Sequence, residues 1–333
     1  MTAVEAMLGA DVGGTAIGVG VVSATGEIRL ATEVPTRGGG PGRVVDRLLG
    51  RLAETQARAA AEGVSLTGCG VGVPGAVDAA AGRIGADVQN VPELAHCPLA
   101  ELVTTRTGLP TVVDNDVNAL TLGEARFGVG RGLRSFVLLA LGTGVGGGLF
   151  LNGDLVRGAS GYGGELGHAT VNFDGRPCFC GARGCLKAYV AGPDIVAQTR
   201  EEIGRHPDSR LVAATTAGGT DALTARAVFD AAAAGDTLAG EIVERVCQAL
   251  GAALGGILNG LNPEAIVLTG GVAASLERRM DAVRRWTRAY AFEGAYRAAR
   301  LIIAPMTKTT AVRGAAALFL HEAARRPGFL RTP

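Results

Sequence analysis

A chain of 333 residues with 47% hydrophobic and 19% charged side chains can bury a core, which excludes the disordered class and leaves room for one large domain or two ordinary ones. The 32 Lys and Arg against 31 Asp and Glu give a formal charge of +1, so neither nucleic acid nor an anionic membrane is expected as a partner held by excess positive charge. No apolar run reaches the roughly 18 residues of a membrane span, and Met1-Thr2-Ala3-Val4-Glu5 sets no basic segment before an apolar one; the expected compartment is the cytoplasm.

The 52 glycines gather in short clusters between strand-like and helix-like runs, where they read as turns. Apolar, β-rich stretches at 7–10 and 17–22 flank Asp11-Val12-Gly13-Gly14-Thr15, a strand, a tight turn and a second strand. Apolar positions 44, 45, 48, 49, 52 and 53 predict a helix over 43–62, and a buried strand over 69–73 ends in Pro74-Gly75. A strand at 111–113 meets Asp114-Asn115-Asp116, which can cap a helix over 117–127. The apolar strand 135–141 then runs into Gly142-Thr143-Gly144-Val145-Gly146-Gly147-Gly148. Helices are predicted at 189–204, 221–234 and 237–260, a strand at 265–268 ends in Thr269-Gly270-Gly271, and a last helix covers 311–326. This alternation places the chain in the α/β class. Because each half opens with a strand that meets a glycine turn, two similar sheets are expected to face each other across a cleft that holds the ligand.

The turn after Asp11 offers backbone amides that a phosphate can approach, with a carboxylate at its edge for a magnesium ion. A plain hairpin accounts for the same glycines; a second such turn with the Thr143 hydroxyl tips the reading towards phosphate. Neither turn ends in the Gly-Lys-Ser/Thr of a P-loop. Asp116 serves as a helix cap, and it is equally placed to accept a proton from an alcohol. The sharpest local signal is His168 followed by Cys178-Phe179-Cys180 and Gly184-Cys185, one imidazole and three thiolates suited to a tetrahedral zinc ion. Four protein ligands leave no open position, so that zinc would be structural. Cys69, Cys97 and Cys247 stand in apolar contexts as ordinary core thiols. Glu165, three residues before His168, can accept hydrogen bonds from hydroxyls or stand solvated in its loop.

Asp11-Val12-Gly13-Gly14-Thr15, Gly72-Val73-Pro74-Gly75, Asn115-Asp116-Val117-Asn118, Leu141-Gly142-Thr143-Gly144, Glu165-Leu166-Gly167-His168, the cysteine cluster and Thr269-Gly270-Gly271 together resemble the ROK family of bacterial sugar kinases, in an order covering nearly the whole chain. The resemblance implies an actin-like ATPase (ribonuclease H-like) fold with two lobes around a central cleft. The smaller lobe is expected from 1–120 with 312–333, and the larger, with the zinc loop, from 121–311. It also implies ATP and Mg2+ in the cleft, structural Zn2+, a hexose near the hinge and a homodimer. Asp116 matches the catalytic base, and Gly75, Asn90, Asn115, Glu165 and His168 match sugar-side positions, His168 also holding zinc. Asp11, Gly13, Gly14, Thr15, Thr143 and Gly144 match the phosphate and magnesium region, and Gly270 and Gly271 the adenosine-side turn.

One position departs from that pattern. The family's Gly-Cys-Leu-Glu is here Gly184-Cys185-Leu186-Lys187, so a sugar-binding carboxylate that only accepts hydrogen bonds is replaced by an ammonium that only donates them. Lys187 and Lys308 are the only lysines in the chain. If Lys187 pairs with a nearby acid, glucose binding is weakened but intact. Otherwise the acceptor differs from glucose around positions 1 to 3, as a C7 cyclitol such as a valiolone or an amino sugar such as kanosamine would. A neutral cyclitol suits a lysine better, since a second ammonium is repelled unless an acid intervenes. Two other classes compete with an ATP-dependent kinase acting on a primary hydroxyl. A sugar-sensing regulator would be expected to carry a DNA-binding domain, for which a first strand at about residue 7 leaves no room. A non-catalytic zinc-stabilised sugar-binding module would have no use for Asp116.

Overall fold

A computed structural model describes residues 4–37, 43–88, 90–216, 223–307 and 309–325. Lys308, the start of the helix expected at 221–234 and both chain ends lie outside the described residues. In chain order the first half carries β1 (Val4–Val12), β2 (Ala16–Ser23), β3 (Ile28–Pro35), α1 (Arg43–Ala61), β4 (Val64–Val73), β5 (Val77–Asp78), β6 (Arg83–Ile84), α2 (Leu99–Thr107), β7 (Thr111–Asn115) and α3 (Asp116–Phe127). The rest comprises β8 (Phe136–Leu141), β9 (Val145–Leu151), β10 (Asp154–Leu155), α4 (Lys187–Val190), α5 (Gly192–Glu202), α6 (Leu211–Thr216), α7 (Ala225–Ala233) and α8 (Thr237–Leu261). It closes with β11 (Ala265–Thr269), α9 (Gly271–Leu276), α10 (Met280–Tyr290), α11 (Glu293–Ala298), β12 (Arg300–Ile303) and α12 (Thr310–Arg325).

Two five-stranded sheets have the same internal order, third strand, second, first, fourth and fifth: β3-β2-β1-β4-β7 and β10-β9-β8-β11-β12. This repetition in a mixed α/β chain is consistent with the actin-like expectation. The chain divides into one compact unit of Met1–Leu133, Gly148–Gly163 and Thr307–Pro333 and another of Arg134–Gly147 and Gly164–Met306. Among the described residues no helix is long and apolar enough to cross a membrane.

In the first unit β1 pairs antiparallel with β2 and parallel with β4, which pairs parallel with β7. Its side chains are buried on both faces, which is why it reads as a near-continuous apolar run. The stripe on α1 covers one face with Val44, Leu48 and Leu52. The other is covered by α12, which comes unusually close. Gly9 and Gly70 are register partners across β1 and β4, and a Cβ on them would lie 2.1 Å from the Val312 carbonyl oxygen and 1.8 Å from that of Ala315. In the second unit β8, β11 and β12 pair parallel, and α8 buries Leu238, Ile242, Val246, Leu250, Leu254 and Leu258 on successive turns.

Two expectations are corrected. The helix expected at 189–204 is two, α4 and α5, broken at Ala191 with φ −70° and ψ 145°. Pro193 accounts for the break, since it has no N–H to donate and sits in the first turn of the new helix. The cap of α3 is Asn115, and the helix starts at Asp116, one residue before the expected start at Val117.

Gly70→Ala should lower the unfolding free energy by about 3 kcal/mol or more, because the clash is with backbone that must shift. Gly50→Ala, in α1 with nothing within 4 Å of the new methyl, is the control and should be neutral or slightly stabilising. Urea unfolding of both variants checks the pair.

Candidate active site

Three parallel neighbours, β1, β4 and β7, end side by side, with Asp11 opposite Gly72, Gly72 opposite Asp114 and Val73 opposite Asn115. This register brings Asp11 and Asp116 together across Gly72. A Cβ on Gly72 would stand 3.4 Å from the Asp116 Cα and 3.5 Å from the Asp11 Oδ1, so hydrogen at this position leaves the space between the acids clear. Burial, and secondarily the Asp116 charge, push the Asp11 carboxyl up to about 7. A carboxylate held next to another acid at this cost suits a group that meets a cation.

Around the pair, Asn115 caps α3 by accepting from the Val117 and Asn118 amides at 2.8 and 3.2 Å, while its Nδ2 donates to the Gly75 carbonyl at 3.1 Å. Gly75 has φ +89° and no room for a Cβ, which would fall 2.4 Å from the Asp87 carbonyl oxygen. Asn90 lies against Gly14. The Asp11 turn is partly the hairpin that the glycines allow: the Gly13 amide donates to the Ala16 carbonyl at 2.9 Å and is committed there. The Gly13 carbonyl in turn accepts from the Thr36 hydroxyl at 2.6 Å. Among the described residues no backbone bond uses the Gly14 or Thr15 N–H.

In the second unit Thr143, Gly144, Gly270 and Gly271 come together because β8 and β11 are parallel neighbours ending at the same level, Thr269 opposite Ala140. Gly270 has φ +98°, and a Cβ on it would strike the Leu141 carbonyl oxygen at 2.5 Å. The Gly142 carbonyl accepts from the Gly192 amide at 2.8 Å, joining this turn to the start of α5. Thr143, Gly144 and Gly271 are exposed.

His168, Cys178, Cys180 and Cys185 bring one ligand atom each within 4.8 Å of one another. The His168 Nδ1 lies 3.6 Å from the Cys178 Sγ, and the Cys180 and Cys185 sulfurs are 3.7 Å apart. Edges of about 3.5–3.8 Å are those of a tetrahedron around zinc at its usual Zn–N and Zn–S lengths, so the donor set fits that ion. Burial pushes the Cys185 thiol up to about 12, and its thiolate therefore needs a cation beside it. Glu165 is exposed immediately before the turn Leu166–His168. Lys187 is half-buried: its Nζ is 2.8 Å from the Asp194 Oδ2 and lies over the Phe179 ring, 4.7 Å from the centroid.

Reading the sequence had missed Gly72 as the spacer, Asp194 as the lysine's partner, and the Arg157 guanidinium that reaches Asp114 at 2.6 Å. Asp194 could have been found, since Gly192-Pro193-Asp194 is a helix-start signature with an acid in its first turn. Arg157 carried no local signal.

Purified protein should hold about one zinc per chain, and Cys180→Ser should release it and lower the melting temperature, by metal analysis and calorimetry. Asp11 gives a pH prediction. Its raised value means that the contribution to stability is complete below pH 3.8 and is lost as pH rises towards 7. In chelator-treated protein Asp11→Asn should therefore be more stable than the parent at pH 8, on the order of 1–4 kcal/mol given the residue's partial exposure, and lose that advantage near pH 4. Denaturant titrations at the two pH values check it.

The model of the ROK family matches residues 7–322. A glucokinase of Halalkalibacterium halodurans is 34% identical over 309 residues, 92% of each chain. Among solved structures, a ROK family glucokinase from Streptomyces griseus in complex with glucose and AMPPNP is 31% identical with a TM-score of 0.77, over 94% of this chain and 98% of that one. A ROK family transcriptional regulator, a homolog of the E. coli MLC protein, has a TM-score of 0.86 at 25% identity over 98% of this chain and 80% of that one. With a family match across nearly all its length and a relative at this identity, the chain belongs to the ROK family.

Proposed function

We propose that the protein is an ATP-dependent kinase that transfers the γ-phosphate to the primary hydroxyl of glucose or a close glucose-like acceptor. The observation that carries this reading is the meeting of Asp116, at the start of α3, with Asp11 of β1 across Gly72, a proton acceptor beside a cation-seeking acid. Asp116 takes the proton of the attacking hydroxyl, and the amides of Gly14 and Thr15 donate to phosphate oxygens, a role the family resemblance also gives to Thr143 and Gly144. Magnesium held at Asp11 would supply positive charge to those oxygens. Gly270 and Gly271 border the adenosine, and Asn90, Asn115, Glu165, His168 and the Gly75 turn orient the sugar. His168 turns Nδ1 to the sulfurs, which leaves Nε2 for a hydroxyl. His168, Cys178, Cys180 and Cys185 would hold zinc, which would fix the loop of His168 without an open position for the transfer. Glucokinases among the relatives support this reading over a regulator, as does Asp116, which a sensor would not need.

The Lys187–Asp194 pair is the arrangement in which glucose binding is weakened but intact, and an acceptor altered around positions 1 to 3 is the second reading. Where the family sets one carboxylate, this chain sets a donor and an acceptor 2.8 Å apart. The ammonium suits a cyclitol or keto oxygen, and Asp194 supplies the acid that an amino sugar needs.

Asp116→Asn should retain the fold and zinc while turnover falls roughly 10²- to 10⁴-fold. The measurement is ADP release by parent and variant with ATP and magnesium, across glucose, kanosamine and a valiolone-type cyclitol. Efficient turnover of glucose alone overturns the altered-acceptor reading, and no sugar-dependent ADP release with any of the three overturns kinase function.

A further inference from the structure

Arg157 follows β10 and reaches two buried acids at once. Its Nε donates to the Asp114 Oδ2 at 2.6 Å and its NH2 group to the Glu322 Oε1 at 2.8 Å. The Asp114 side chain is 2% exposed and that of Glu322 7%, whereas Arg157 itself keeps 22%. Two carboxylates at that depth are costly unless a cation lies between them, and only the planar fork of a guanidinium can bond both with separate nitrogens.

Asp114 is also the residue from which the Asp116 turn hangs. Its Oδ1 accepts from the Asn115 amide at 2.7 Å and from the Asn118 Nδ2 at 2.9 Å. To make that bond Asn118 leaves its own Oδ1 buried without a hydrogen-bond partner. Such an arrangement spends polar groups on orienting one carboxylate. The amide so held belongs to Asn115, whose side chain caps α3 and whose neighbour is Asp116. Arg157 is itself fixed from behind: its carbonyl accepts from the Gly163 amide at 2.8 Å, and Gly163 approaches so closely that a Cβ would lie 2.5 Å from the Arg157 carbonyl carbon.

We propose that Arg157 is a positioning residue for Asp116, acting through Asp114 and the capping amide of Asn115, and anchored by Glu322 on α12. The inference rests on the reading of Asp116 as the base. It concerns the aim of that carboxylate and not substrate affinity. Loss of the guanidinium therefore lowers kcat and leaves the KM values for sugar and ATP nearly unchanged.

The test is a double-mutant cycle on the full chain with ATP, magnesium and the best acceptor. Arg157→Gln should lower kcat by roughly 10- to 100-fold, the range of a misplacement of about 1 Å, with KM moving less than about threefold. In the Asp116→Asn background the same change should cost less than about twofold, since no base remains to be aimed. Should Arg157→Gln fail to fold, Arg157→Lys, which keeps the charge but cannot fork, should fold and lose several-fold in kcat. Multiplicative losses, an effect confined to KM, or a folded Arg157 variant with normal kcat overturns the inference. An inactive Asp116→Asn beside a normal Arg157→Gln sinks this inference alone, whereas near-normal Asp116→Asn sinks the base reading and this inference with it.

Discussion

The first unit depends on backbone lying directly against backbone under α12. Gly9 and Gly70 let the sheet rise to the carbonyls of Val312 and Ala315, and a Cβ on Gly123 of α3 would lie 2.8 Å from the Gly314 Cα. The same helix thus touches the sheet and α3 with hydrogen as the only spacer. A methyl at any of these points would push α12 outward by more than a close-packed interior tolerates. Because α3 begins at the β7 end, the contact that sets the α12 position also sets where Asp116 meets the end of β1.

That dependence explains which parts were legible in the sequence. Strands β1, β4, β8 and β11 are buried on both faces and show as apolar runs, and the cysteine cluster announces itself by donor type and spacing, since few other uses bring those residues so near. Asp11 and Asp116 are visible only as two separate acids, one near the end of β1 and one opening α3. Their meeting is a matter of register between β1, β4 and β7, and register depends on pairings distant in sequence. The glycines at 9, 70 and 123 look like any others until the helix that covers them is in place. The break at Ala191 was written in the chain, in Gly192-Pro193-Asp194, but helical periodicity runs through it and hides it. The role of the Gly13 amide was open to two readings, and the Ala16 carbonyl decides for the hairpin at that residue while leaving the next two N–H groups out of the backbone ladder.

Lys187 shows how a single residue change acquires meaning from its surroundings. Read alone, it reverses a charge at a position that the family resemblance assigns to the sugar side. In the fold it becomes half of an ion pair with Asp194 on α5, and its ammonium also lies on the face of Phe179, whose edge meets the His168 ring at 5.2 Å. The substitution therefore leaves no bare positive charge in the loop. It joins the zinc-type cluster to the α5 start, which in turn meets the Gly142 turn through the Gly192 amide.

The two acids that flank Gly72 in the ladder, Asp11 on one side and Asp114 on the other, show opposite solutions to one electrostatic problem. Asp114 is surrounded by donors: a guanidinium, an amide N–H and a side-chain amide. A group so satisfied gains nothing from a ligand, and its work is to hold its neighbours in place. Asp11 has burial and the Asp116 charge against it, and its carboxyl is pushed up to about 7. A cation arriving there would relieve both costs together, since it favours the ionised form of Asp11 and offsets the repulsion from Asp116. The satisfied acid stabilises the frame, and the strained one supplies a reason to bind. Their separation by a single glycine strand position places the rigid half of the arrangement directly beside the half with an unmet charge.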